Sequence, residues 1–165
     1  MGGYSSEYEI SIGSGEAVMS ALVDSDYAAT KVLILKDRWV AVEEGVEMTI
    51  DKNDFSFQRN GENVTFDAVF NAIHGTPGED GLMQAYFDML EIKHTSCDFF
   101  ESALTFNKSK TNTIVSSFGV NCAKGIYFTK SDKIDADVLA ENLGFPMFIK
   151  PSRSGMRLPR LPLIF

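Results

Sequence analysis

Three glycines, one imidazole and two carboxylates fall within a single short stretch, His74-Gly75-Thr76-Pro77-Gly78-Glu79-Asp80-Gly81. An apolar run, Phe66–Ile73, leads into it, and Leu82, Ala85, Tyr86, Met89 and Leu90 follow at helical spacing. A strand–loop–helix unit of this kind puts the loop at the carboxyl end of a strand, where open α/β sheets bind ligands. The glycines let a ligand approach the backbone. The amides that open the helix suit an anion, and His74, Glu79 and Asp80 offer polar contacts. The alternative is a turn with a helix cap, in which the two acids only favour the helix dipole. His74 taken alone would serve equally well as a structural histidine.

A second turn of similar chemistry opens the chain: Gly2-Gly3-Tyr4-Ser5-Ser6-Glu7-Tyr8-Glu9. A carboxylate there can hold an amine. In the competing reading, Ser5 or Ser6 caps a helix and the acids complement its dipole. Two lysines complete the set. Lys108 follows Asn107 at the start of an expected helix, and Lys150 ends the apolar run Phe148-Ile149. A lysine finishing a buried strand is a compact charge for a phosphate, although either lysine singly reads as a solvated surface group. Ser102, Ser116 and Ser117 have no histidine in a matching motif and read as ordinary serines. The chain carries no Gly-x-x-x-x-Gly-Lys-Ser/Thr phosphate loop.

These residues need a scaffold, and the hydrophobic pattern supplies one. Met19, Ala21, Leu22 and Val23 predict a helix entered through Ser14-Gly15 and ending near Asp24–Asp26. Val32–Leu35, Trp39–Val42, Met48–Ile50 and Phe55–Phe57 predict short strands. Asn60-Gly61 is a hairpin turn signal. Phe66–Ile73 is expected as a central strand, and no strand is expected ahead of Gly2-Gly3. Beyond it, helices are predicted over 98–106, with Asp98 as N-cap, and over 108–118, stopped by Gly119. Ala123–Thr129 and Met147–Lys150 read as strands, and Ala136–Asn142 as a helix. The alternation gives α/β class, with a domain boundary near residues 95–98. Spaced prolines in the last ten residues forbid a regular helix or central strand, so 156–165 is expected to be an irregular tail.

Composition narrows the function. A chain of 165 residues, 44% hydrophobic and 12% aromatic, can bury one medium domain, or one small domain and part of another. A net charge of −8 argues against a nucleic-acid binder. Cys97 and Cys122 lack metal spacing and read as two buried reduced thiols. With only His74 and His94 as histidines, a multi-histidine metal site is excluded. No apolar run is long enough to span a bilayer, so a soluble, cytoplasmic protein with no membrane partner is expected.

Four segments, in order, carry a resemblance. They are Gly2-Gly3-x-Ser5-x-Glu7-x-Glu9-x-Ser11-x-x-Ser14-Gly15; Phe70-Asn71-Ala72-Ile73-His74-Gly75-x-x-Gly78-Glu79-Asp80-Gly81; His94-Thr95-Ser96 followed by Ala103-Leu104-Thr105-Phe106-Asn107-Lys108; and Gly144-Phe145-Pro146-Met147-Phe148-Ile149-Lys150-Pro151-Ser152-Arg153-x-Gly155. Together, over residues 2–155, they resemble the D-alanine–D-alanine ligases of the ATP-grasp superfamily.

The resemblance implies an open, Rossmann-like α/β N-terminal domain over 1–96, part of an ATP-grasp domain over 97–155, and the tail beyond. It implies a two-step reaction in peptidoglycan precursor synthesis. ATP phosphorylates the carboxylate of one D-alanine, and the amine of a second attacks the acyl phosphate. Glu7 matches the acid that orients the first D-alanine through its ammonium group, and His74 lies in the loop lining the substrate site. Lys108 and Lys150 match lysines that contact ATP phosphates. Magnesium ligands and the adenine site belong to a part of the family that follows residue 155, so no metal ligand is assigned. Met156 and Arg157 stand where the family has two serines. The resemblance therefore implies a fragment, without the family's first strand and second half, that does not hold ATP or Mg2+ tightly and is inactive alone. Full-length members are expected to be homodimers. The alternatives are a D-alanine–D-lactate or D-alanine–D-serine ligase, another ATP-grasp carboxylate–amine ligase, or a non-catalytic interaction fragment.

Overall fold

The computed structural model describes residues 1–153. Helix α1 (Tyr8–Leu22) is followed by five strands: β1 (Lys31–Ile34), β2 (Trp39–Glu43), β3 (Val46–Asp51), β4 (Ser56–Arg59) and β5 (Glu62–Val64). They form one antiparallel meander in the order β1-β2-β3-β4-β5. A short β6 (Ala68–Val69) pairs in parallel with β7 (Lys93–His94), flanking α2 (Leu82–Met89). Helices α3 (Phe99–Phe106), α4 (Lys108–Ser117) and α5 (Ala136–Leu143) follow. The mixed α/β class expected from the pattern holds, with most of its strand pairing antiparallel. The irregular tail expected at 156–165, with Met156 and Arg157, lies outside the described residues. Among the described residues, no helix is long and apolar enough to cross a membrane.

The core explains the meander. Alternate residues of β2, β3 and β4 turn Trp39, Ala41, Ile50 and Phe57 inward, where Phe55, Met83 and Phe87 meet them. Trp39 packs edge-on to Tyr86 at 5.3 Å, and Phe55 edge-on to Phe87 at 5.1 Å. Such pairs add to the burial of the rings themselves. The Asn60-Gly61 turn forms as expected, with φ of 52° and 85°, the left-handed values a tight hairpin requires. Asp98 caps α3 by accepting from the amides of Phe100 and Glu101, and Gly119 follows α4 with φ 79°.

Four expectations are corrected or refined by the structure. The first is the central strand. Within Phe66–Ile73 only Ala68 and Val69 enter a ladder, and side chains take up backbone groups of Asn71, Ala72 and Ile73. Thr95 Oγ1 accepts from the Asn71 amide at 3.2 Å. Asn71 Oδ1 accepts from the Ile73 amide at 3.1 Å. Ser11 Oγ donates to the Ala72 carbonyl at 2.7 Å. The second concerns Met1–Gly3, where no strand was expected and none forms, although the backbone is still used. This segment lies against β1, with a parallel bridge from Gly2 to Ile34 and the Gly3 amide donating to the Ile34 carbonyl at 2.8 Å. It holds the place between β1 and residues 72–76, since the Tyr4 amide reaches the Thr76 carbonyl on the other side at 2.8 Å.

Third, α1 starts at Tyr8 and not at Ser14. Its inner face is Ser11 and Gly15, which apolar periodicity cannot register. Fourth, Ala123–Thr129 and Met147–Lys150 are not strands. Apolar composition suggested a ladder, but a strand needs a neighbour for its amides and carbonyls, and no strand among the described residues pairs with either. Cys97 is exposed and Cys122 half-buried, so the thiols are free but not buried. Cys97 sits just ahead of an exposed helix start, where its Sγ lies 3.2 Å from Ser102 Oγ.

Candidate functional site

Glu7 stands at the entry to α1, and the glycine loop lies directly opposite. Ser5 joins them. Its Oγ donates to the His74 carbonyl at 2.8 Å and accepts from the Glu7 amide at 3.1 Å. The amide so satisfied is one of those a helix start leaves without an intrahelical partner. Gly75, with φ 73°, passes so close that a methyl group built on it would lie 2.7 Å from Ser5 Oγ and 3.4 Å from Glu7 Oε2. The loop is pinned from its other side as well. Glu79 Oε2 accepts from the Gly75 amide at 2.7 Å, and Gln84 Nε2 donates to the Gly78 carbonyl at 2.6 Å. Glu79, offered by the sequence as a substrate contact, is thus occupied in shaping the loop. Asp80 remains on the wall of the cleft.

The His74 ring turns toward α1, where its Nε2 lies 3.0 Å from Ser14 Oγ. Glu7, Ser11 and Ser14 recur at helical spacing on one face of α1, and that face is directed at residues 72–75. Glu7 and His74, predicted from separate segments, are therefore brought together.

Lys108 and Lys150 belong to a second cluster. The Lys108 amide donates to the Ser152 carbonyl at 3.0 Å, Asn107 bridges Arg153, and Ser152 Oγ donates to Asn107 Oδ1 at 2.9 Å. The start of α4 and the segment 150–153 are thereby strapped together. Lys150 is exposed, its Nζ 5.9 Å from the centre of the Phe148 ring. The two clusters meet at a cleft of about 430 Å³. Ser5, Thr76 and Asp80 line it from the loop side, and Ala103, Phe106 and Arg153 from the other. Its polar walls carry both signs of charge, Asp80 against Arg153. Among the described residues, no group of three or more His, Cys, Asp or Glu is placed to hold a metal ion.

Sequence reasoning offered Ser5 only as a helix cap and gave no role in the site to Ser14, Gln84 or Arg153. Ser5, Ser14 and Arg153 stand inside the quoted motifs, so the signal was present without a geometry to interpret it. Gln84 lies in a helix and gives no local signal.

A carboxylate at a helix entry, a glycine loop facing it and a basic segment across a cleft are brought together on an α/β fold. The sequence model described as D-ala D-ala ligase N-terminus matches residues 1–97, and the chain belongs to that family. It is 47% identical over 156 residues to the D-alanine–D-alanine ligase of Flavobacterium johnsoniae, covering 94% of this chain and 48% of that protein. The chain thus spans about half the length of the curated relatives it matches. The D-alanine–D-alanine ligase structure from Coxiella burnetii superposes with a TM-score of 0.79 at 22% identity, over 94% of this chain and 50% of that one, a likeness of fold. The Bacillus anthracis ligase complexed with ATP superposes at 0.66 with 25% identity, over 94% and 46%.

Proposed function

We propose that this chain serves the ATP-dependent joining of two D-alanine molecules through an acyl phosphate, in peptidoglycan precursor synthesis. The observation that carries the reading is the Glu7–Ser5–His74 arrangement. It holds a carboxylate beside Ser5 and Gly75, two residues that line the cleft, where it can receive the ammonium group of the first D-alanine. The backbone of Gly75 borders the same space. Lys108 and Lys150, strapped together by the Asn107–Arg153 bridge, supply positive charge for the phosphates of the nucleotide. Charge placed there offsets what develops as the phosphoryl group moves.

The donor set of residues 1–153 is cationic on this side and fits phosphates. It does not fit magnesium, which the family reaction implies and which needs clustered oxygen ligands, so no step is assigned to a metal here. The same reading takes 1–96 as the N-terminal domain and 97–155 as part of the ATP-grasp domain. The match of the family model to residues 1–97 supports that division. It also takes the whole protein to be a cytoplasmic homodimer.

The test grafts residues 1–153 onto the remaining half of the Flavobacterium johnsoniae ligase. D-alanine-dependent ADP release by the chimera is the expected result. Glu7→Gln in that chimera should lower kcat/KM by roughly a hundredfold, or about 3 kcal/mol, as expected when one member of a desolvated charge pair is removed. An active chimera indifferent to Glu7→Gln would show that Glu7 is only a helix-terminus acid.

A further inference from the structure

The two histidines of this chain meet opposite kinds of partner, and the contrast assigns their protons. His94 Nε2 lies 3.0 Å from Asp88 Oδ1. A carboxylate accepts and does not donate when ionised, so this nitrogen carries hydrogen. The other nitrogen of the same ring, Nδ1, is buried with no hydrogen-bond partner, which suits a bare nitrogen far better than a desolvated N–H. His94 is therefore the Nε2–H tautomer.

At His74 the partner of Nε2 is a hydroxyl, Ser14 Oγ, at 3.0 Å. A hydroxyl can act in either direction, so its other options decide. Serines inside helices often turn the proton back to the carbonyl four residues earlier. Ser20 in the same helix does so, donating to the Glu16 carbonyl at 2.9 Å. Ser14 instead meets the imidazole across a separation of 60 residues in sequence. No other hydrogen bond of its hydroxyl occurs among the described residues.

We infer that Ser14 is a positioning residue, which donates its hydroxyl proton to His74 Nε2 and holds the imidazole as the Nδ1–H tautomer. The backbone of His74 is fixed separately, since its carbonyl accepts from Ser5 Oγ at 2.8 Å. Ser5 thus sets where the residue sits, and Ser14 sets which way its ring faces and which nitrogen is left to donate. Only the consequence rests on the ligase reading. In that reaction, the ring would offer an N–H donor beside Glu7, complementing a substrate carboxylate or phosphate and not a second amine.

The tautomers can be read without substrate, by long-range 15N–1H correlation on the neutral rings of the 165-residue chain. In the wild-type chain, His74 should show a protonated Nδ1 and a bare Nε2, and His94 the reverse, serving as internal reference. Ser14→Ala should move the His74 tautomer ratio roughly fivefold toward Nε2–H, the size of one ordinary hydrogen bond. His94 should not change. Ser14→Thr, which keeps the hydroxyl, should restore the wild-type ratio. Alanine is a good helix former, so the helix should survive the replacement, and a far-UV melt checks it. Protonated Nε2 on His74 in the wild-type chain would overturn the inference, as would a ratio that Ser14→Ala leaves unmoved. Because no turnover is measured, an inactive chimera would leave this result standing. Equally, the wrong tautomer would leave the activity assay standing.

Discussion

Replacing Gly75 by alanine separates two costs that usually arrive together. The first is conformational. Gly75 has φ 73°, and an L-residue there loses about 1 kcal/mol relative to glycine. The second is steric. The added methyl would lie 2.7 Å from Ser5 Oγ and 2.8 Å from Ser5 Cβ, so Ser5 has to move. Ser5 is not free to do so, because it donates to the His74 carbonyl and accepts from the Glu7 amide. Losing two hydrogen bonds costs about 2 kcal/mol, for a total of about 3 kcal/mol.

Gly45 provides the control. Its φ is 81° and a methyl built on it meets nothing within 4 Å, so Gly45→Ala carries only the conformational cost of about 1 kcal/mol. With a urea slope of about 2 kcal/mol/M, Gly75→Ala should unfold at roughly 1 M less urea than Gly45→Ala. A double-mutant cycle sharpens the test. In a Ser5→Gly background the obstacle is gone, so Gly75→Ala should cost no more than Gly45→Ala. Equal midpoints for the two single variants would refute the reasoning, because Ser5 would then not be clamped.

Two further predictions concern the scaffold. Ser11 is wholly buried, accepts from the Gly2 amide at 2.8 Å and donates to the Ala72 carbonyl at 2.7 Å. Ser11→Ala leaves both groups unpaired and should cost about 2–4 kcal/mol in urea unfolding; a loss below about 0.5 kcal/mol would mean that water replaces the hydroxyl. Burial, and then the charges of Asp54 and Asp51, push the Tyr86 phenol up to about 12. A raised acid binds its proton longer in the folded state, so this contribution to stability is intact below about pH 10 and is lost as pH rises toward 12. Ultraviolet titration of the five tyrosines should show one late component, absent in Tyr86→Phe. Loss of an ordinary component near pH 10 in that variant would contradict the burial argument.

The legible part of this fold was the part made by apolar burial. Trp39, Ile50 and Phe57 announce themselves by type and spacing, and Asn60-Gly61 and Asp98 by backbone chemistry that few other residues provide; in α2 the spacing picked out Leu82 and Met89, which are exposed, while Met83 and Phe87 are the buried pair. The site is held by a different agency. Ser5, Ser11, Ser14 and Asn71 use short polar side chains to join segments 25 to 69 residues apart in sequence, and serine and asparagine are common enough in turns to carry no such signal alone. Asn71 shows why the failure was systematic. Inside an apolar run it reads as a minor interruption of a strand, yet it donates to Gly78 and to Ser96 and accepts from Ile73. A ladder satisfies backbone groups in a regular row, which would leave the strand straight and His74 at its end. Side-chain partners satisfy them one at a time and let the chain bend, and the bend turns His74 onto α1 and brings Gly75 against Ser5. The same polar contacts that hide the segment from a periodicity reading are those that bring Glu7 and His74 together through Ser5.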